Sequence, residues 1–293
     1  MTAESAGQLL QIVVAGVTIG SIYAIVALGF TIIFNVTGII NFAQGEFVML
    51  GGMLSWWMIG RFHLPPALAF ALAIAMTAGV GLGLERLAIR PARSAPPLSL
   101  IILTVGAATV IRGVASIAWG KDAQPVPAFS GEAPIHVLGA AIVPQTLWVL
   151  GVTLAIMAVL QLLLSSTMLG KALRACSINR RAAGLVGVDS QRMAALSFAL
   201  SAGLGAIGGV IIAPVTMASY DAGVMLGLKG FTAAAVGGLG SQPGAVIGGL
   251  ALGVLESLGT AVRSEYKDAI ALVLLLAVLL LRSGRAGDAA EER

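Results

Sequence analysis

Charge is what this sequence has least of. Lys, Arg, Asp and Glu make up 10% of its 293 residues against 58% hydrophobic ones, and the mean hydropathy is +0.99. A soluble domain carries roughly a quarter charged residues, so a tenth cannot cover a water-facing surface and a soluble globular fold is excluded. The net charge of +4 lies mostly near the ends of apolar runs, which makes it a topology signal rather than a nucleic-acid footprint. Cysteine occurs once, as Cys176, so no internal disulfide can form. Histidine occurs twice, as His63 and His136, in separate loops, and no metal-ligand cluster is expected. There is no G-x-x-x-x-G-K-[ST] phosphate loop and no nucleophile–base set. Catalytic residues, cofactors and metals are therefore not expected. The opening MTAESAGQLL lacks the basic stretch and cleavage site of a signal peptide, so 8–34 is expected to be a retained span.

What is present is one apolar run after another. A span needs about twenty apolar residues, and candidates lie at 8–34, 38–60, 65–88, 97–119, 144–164, 193–216, 244–262 and 268–282. A shorter Gly-rich piece at 228–240 is the ninth. The expected fold is an all-α polytopic membrane protein of eight or nine transmembrane segments, with Gly/Pro-interrupted helices and one domain over 1–293. Loop charge orients it. Residues 85–93 carry Arg86, Arg90 and Arg93; residues 165–192 carry Lys171, Arg174, Arg180, Arg181 and Arg192; Arg282 and Arg285 follow the last span. Basic loops stay in the cytoplasm, so these are cytoplasmic and the proline-rich 120–143 is external. Counting back places the N-terminus outside, provided 38–60 is a full span.

Two stretches interrupt the pattern. FNVTGIINFAQGEFVMLGG, residues 34–52, sets Asn35, Asn41, Gln44 and Glu46 among apolar neighbours. KGFTAAAVGGLGSQPGAVIGG, residues 229–249, holds seven glycines and Pro243. Irregular backbone at membrane depth survives only where protein or water satisfies it, and paired broken segments in two halves point to a substrate path. Asn41, Gln44, Glu46, Gly237, Gly238 and Gly240 are the candidate path residues, although glycines also serve close helix packing. GVTIGSIYAIVALGFTIIF (16–34) and LSFALSAGLGAIGGVIIAP (196–214), each followed by a broken segment, suggest an inverted repeat. Glu46, Arg112 and Glu256 are the charges expected inside spans. Arg112 and Glu256 lie toward span ends, where a side chain can reach the interface; Glu46 is assigned to the path. No proton relay is expected.

Residues 170–189, GKALRACSINRRAAGLVGVD, form the one compact basic segment. Helix formers lead it. Asn179 can cap a second short helix from Arg180 to Val186, which Gly187 can end. Two short helices joined by a polar turn make a knob for a partner's groove, or else an amphipathic segment on anionic lipid.

The string RAAGLVGVD resembles the Ala-Ala-x-x-x-Gly coupling loop of ABC importer permeases, with Ala182, Ala183 and Gly187 in the motif places and Arg181 where many such permeases have Glu. NVTGIINFAQGEFVMLGG (35–52) and AAAVGGLGSQPGAVIGG (233–249) resemble the branched-chain amino acid branch, so the likeness covers essentially the whole chain. The chain is identified as similar to the shorter permease of the high-affinity branched-chain amino acid ABC transporters. That resemblance implies a multi-pass protein of the bacterial inner membrane that is not an enzyme. It also implies partners: a second related permease, two cytoplasmic ATP-binding subunits, an extracytoplasmic substrate-binding protein and membrane lipid, with no nucleic acid. The coupling loop, about 165–192, would dock the ATPase through Arg174, Asn179, Arg180, Ala182, Ala183 and Gly187. Urea or short-chain amides are the alternative substrates, and an ATPase-independent secondary transporter is the rival class.

Overall fold

Prolines and capping side chains set where the helices begin. α3 (Pro66–Leu84), α4 (Pro97–Trp119) and α5 (Pro144–Ser166) each open on a proline, whose missing N–H costs nothing in the first turn. The structure, a computed structural model, describes residues 3–131, 133–137, 139–263, 268–278 and 280. Arg282 and Arg285 lie outside the described residues, as does the end of the expected span 268–282. The remaining helices are α1 (Ala3–Thr37), α2 (Gln44–Phe62), α6 (Met168–Ile178), α7 (Arg180–Leu185), α8 (Ser190–Thr216), α9 (Ala222–Gly237), α10 (Gln242–Val262) and α11 (Asp268–Val278). A π-helical turn, Glu85–Ile89, extends α3.

The protein is an all-α polytopic membrane protein. Six helices are long and apolar enough to cross a bilayer among the described residues: α1, α3 with its π turn, α4, α5, α8 and α10. Two expected spans differ. Instead of one helix over 38–60, the chain is broken at 38–43 and α2 starts only at Gln44. The piece at 228–240 is the end of α9 plus a turn, and α9 has only 16 residues, about 24 Å of helix. Between α4 and α5 the chain forms a hairpin of β1 (Ile135–Val137) and β2 (Ala140–Ile142), paired Ile135↔Ile142 and Val137↔Ala140. The bundle therefore has a hairpin end and an opposite end bearing α6 and α7.

Helices α1 and α8 form the centre, and the rest is arranged about them in an inverted fashion. They run antiparallel, with Ser201 Oγ 2.8 Å from Gly29 O. α2 runs beside α8 in the same direction, as α9 runs beside α1. α3 packs antiparallel on α8, as α10 does on α1. Breaks at 38–43 and 217–221 follow α1 and α8 respectively, so the suggested repeat has a counterpart in the packing. Lipid supplies no hydrophobic drive between helices, and small residues at crossings permit the contact that replaces it. At the α1–α10 crossing a Cβ on Gly20 would lie 2.9 Å from Gly249 O, so no larger residue fits there.

Candidate functional site

The first break is held by side chains that the sequence singled out. Gln44 donates from Nε2 to Ser201 O at 3.1 Å, and its Oε1 lies 2.6 Å from Ser201 Oγ. Asn41 Oδ1 accepts from Ala43 N–H at 3.1 Å, closing the turn that starts α2. Thr104 on α4 accepts from Phe42 N–H at 3.1 Å. Gly29, beside Gln44, lies eight residues before the end of α1, about 12 Å along its axis, so α2 begins inside the bundle. Two buried polar atoms here lack a partner among the described residues: Asn41 Nδ2 and Glu46 Oε2.

Glu46 does have a cation. Arg112 Nη2 reaches Glu46 Oε1 at 2.9 Å and Nε reaches the same oxygen at 3.2 Å, joining α4 to α2. Arg112 is thus no interface snorkeler but the counter-charge of the path candidate. Its register gave no hint, since the partner lies 66 residues away. Glu46 Oε2 faces the first turn of α9 at Gly223.

A second network was missed in the sequence. Lys229 on α9, within the shorter Gly-rich piece at 228–240, is buried and lies 2.7 Å from Glu256 Oε1 on α10 and 2.8 Å from Asp268 Oδ1 on α11. Tyr23 on α1 donates to Glu256 Oε2 at 2.8 Å. Glu256 is fully inside, contrary to the expectation of a residue near the interface, because Lys229 offsets its charge. Buried titratable pairs therefore do exist in this chain. The two networks have the same layout with opposite polarity. Each ties a helix that starts after a break, α2 or α9, to an outer helix, α4 or α11.

The six path candidates do not form one site. Asn41, Gln44 and Glu46 cluster where α2 and α9 begin. Gly237, Gly238 and Gly240 lie at the other end of α9, in the turn into α10, with Gly238 at φ 92° and Gly240 at φ 96°. Asn35 Nδ2 donates to Gly240 O at 2.8 Å and ties that turn to the end of α1. The glycines make a tight turn at the bundle end, away from Asn41, Gln44 and Glu46, and Gly240 lines a separate cavity there.

The six docking candidates do lie together, in α6, α7 and their caps. Thr167 caps α6 by accepting from Gly170 N–H at 3.0 Å. Asn179 Oδ1 accepts from Arg181 N–H and Ala182 N–H, both at 3.0 Å, and so starts α7. Gly187 follows the C-cap at φ 86°, a conformation only glycine adopts without strain. Asp189 then caps α8; the backbone N–H of Arg192 is the main cause holding its carboxyl below the ordinary range, with that of Gln191 adding to it. Arg174 Nη2 donates to Leu164 O at 3.3 Å. Ala183, expected on the contact surface, is 3% exposed and packs into the body. What faces outward is apolar: Ile178 at 81%, Leu185 at 89% and Val186 at 78% exposure, beside the exposed Arg180 and Arg181.

Two antiparallel central helices, each followed by a break and a re-entering helix, with a capped helical knob at one end, are the features of a membrane transport permease. A family profile described as branched-chain amino acid transport system / permease component matches residues 12–279. The chain is 35% identical over 286 residues to the high-affinity branched-chain amino acid transport system permease protein LivH of Escherichia coli (strain K12), covering 93% of each chain. It is 34% identical over 289 residues to the corresponding protein BraD of Pseudomonas aeruginosa, covering 93% of this chain and 94% of that one. Among solved structures, PsaBC from Streptococcus pneumoniae in complex with Fab shares the fold at a TM-score of 0.51 and 13% identity, over 91% of this chain and 89% of that one. The chain belongs to the branched-chain amino acid transport permease family.

Proposed function

We propose that this chain is the membrane subunit of an ATP-driven importer, a single permease domain forming half of the path for branched-chain amino acids across the bacterial inner membrane. The names of its relatives support the substrate, and the α6–α7 knob supports the class. The basic residues Arg86, Arg90, Arg93, Lys171, Arg180 and Arg181 gather at the knob's end of the bundle, which supports a cytoplasmic side for that end and an external one for the hairpin. On this reading the chain makes eight or nine passes, with α2 and α9 starting at depth within the bundle.

The carrying observation is the exposed apolar tip of Ile178, Leu185 and Val186 on a doubly capped pair of helices. An ATP-binding subunit offers a groove for such a tip, and Arg180 and Arg181 suit an acidic rim. Asn179 caps the second helix of the knob, Ala183 packs it onto the body, Ala182 stands exposed beside the cap, and Gly187 ends the turn. A second related permease, a second ATP-binding subunit and an extracytoplasmic binding protein complete the machine. It works by differential binding: the loaded receptor and the ATP-bound subunits each bind the alternative arrangements of the bundle with different affinity and so shift their populations. The path runs past the break at 38–43 and the first turn of α2, where Asn41 Nδ2 and Glu46 Oε2 lack partners among the described residues and suit a zwitterion's ends.

The test replaces Leu185 and Val186 together by Asp. Both side chains are exposed, so the bundle should insert and fold as before while the ATP-binding subunits no longer co-purify in mild detergent. Full retention of those subunits, with unchanged uptake, would refute docking through this tip.

A further inference from the structure

We infer that the cleft between α1, α5, α6 and the start of α10 holds one anionic phospholipid of the leaflet on the α6–α7 side. Two adjoining cavities carry the inference. The one nearer the knob, about 310 Å³, is lined by Asn35, Leu173, Arg174, Ser177 and Ser241 among others. The other, about 210 Å³, is lined by Leu28, Met157, Leu160, Gln161 and Val246. They share Gln242 and Pro243, so they adjoin, and the lining changes character from one to the other.

Chemistry and depth both follow that change. Arg174 makes its one hydrogen bond to Leu164 O and has no carboxylate partner among the described residues, so its guanidinium keeps donors for a phosphate. Asn35, Ser177 and Ser241 add polar atoms at the same level. Gln161 and Gln242 come next, at the height of an acyl ester. Beyond them Met157 lies nine residues before the end of α5 and Leu28 nine before the end of α1, each about 13 Å into the bundle. A basic pocket between spanning helices is the recognised pattern for an anionic headgroup. A soluble anion would need only the first cavity. The apolar second one lies at bilayer depth, where the available occupant is an acyl chain.

Such a lipid touches α6 and the 238–241 turn at once, and so joins the docking element to α10. The inference rests on the orientation proposed above only for naming the leaflet.

The assembled transporter in nanodiscs of phosphatidylcholine with phosphatidylglycerol tests it. Native mass spectrometry counts the phosphatidylglycerol that stays bound. Arg174→Gln should weaken retention about fivefold, as expected for one basic residue facing an anionic headgroup. Leu160→Trp, which fills the apolar cavity without touching the arginine, should weaken it too, whereas Arg86→Gln, elsewhere on the same end, should not. Equal retention in all three variants overturns the site. Displacement of phosphatidylglycerol by inorganic phosphate or by L-leucine also overturns it, because the cleft would then be a soluble-anion site. Sidedness is read separately, from impermeant labelling of a cysteine placed at Arg180 in spheroplasts, so an inverted topology and an empty cleft give different results.

Discussion

Lys229 of α9 lies between two carboxylates on different helices, 2.7 Å from Glu256 and 2.8 Å from Asp268. With Tyr23 bonded to the same Glu256, three helices converge on α9 through one ammonium group. Charge at membrane depth is costly unless paired, so this cation is a structural requirement of the bundle.

Lys229→Met should therefore destabilise strongly. Removing one partner of a buried ion pair costs about 3–5 kcal/mol, because the other charge stays behind. Thermal unfolding in detergent should show a clear fall in Tm, and adding Glu256→Gln should restore part of it. A Tm equal to that of the parent would mean that the network carries no weight.

Arg112→Met should act through Glu46 in the same way. The single change leaves a buried carboxylate with no cation, and the yield of folded protein should drop. Arg112→Met with Glu46→Gln should recover the fold but not uptake, if the charge of Glu46 serves the path. Recovery of both would make the pair purely structural.

Asn179→Ala should loosen α7 alone. The cap bonds two amides, and its loss costs about 1 kcal/mol of local helix stability. Hydrogen exchange at Arg181 and Ala182 should quicken, while Asn179→Asp, which still accepts, should protect both. Exchange unchanged in the alanine variant would show that α7 is held by packing instead.

Cys176 should resist maleimide until the protein unfolds. It is buried in α6, and burial pushes its thiol up, so little thiolate exists at neutral pH. Rapid labelling of the folded protein would mean that α6 does not pack as described.

Local rules read well from the sequence, and long-range pairings did not. Asn179 and Gly187 were legible as cap and terminator because capping depends on residues within one turn. The break at 34–52 was legible from its polar side chains. The ion pairs were not, since Glu46 with Arg112 and Lys229 with Glu256 meet only through helix packing. Gly237–Gly240 misled for a related reason. A Gly/Pro-rich turn at the end of the bundle and a broken helix in its middle have the same composition. Gln44, expected to line a route, spends both ends of its amide on Ser201, so Gln44→Leu acts on the scaffold before it acts on transport.

The meeting of α2 and α9 has an electrostatic consequence. Their first turns face each other, with Gly45 against Gly223 and Gly227 and with Glu46 beside them. Each helix start carries roughly half a positive elementary charge from its aligned peptide dipoles. Two such starts and the Arg112 guanidinium together offset both the Glu46 carboxylate and that of Asp221, the exposed residue at the N-cap of α9. The paired helix starts thus let an acid sit inside the bundle without leaving a net negative field around it.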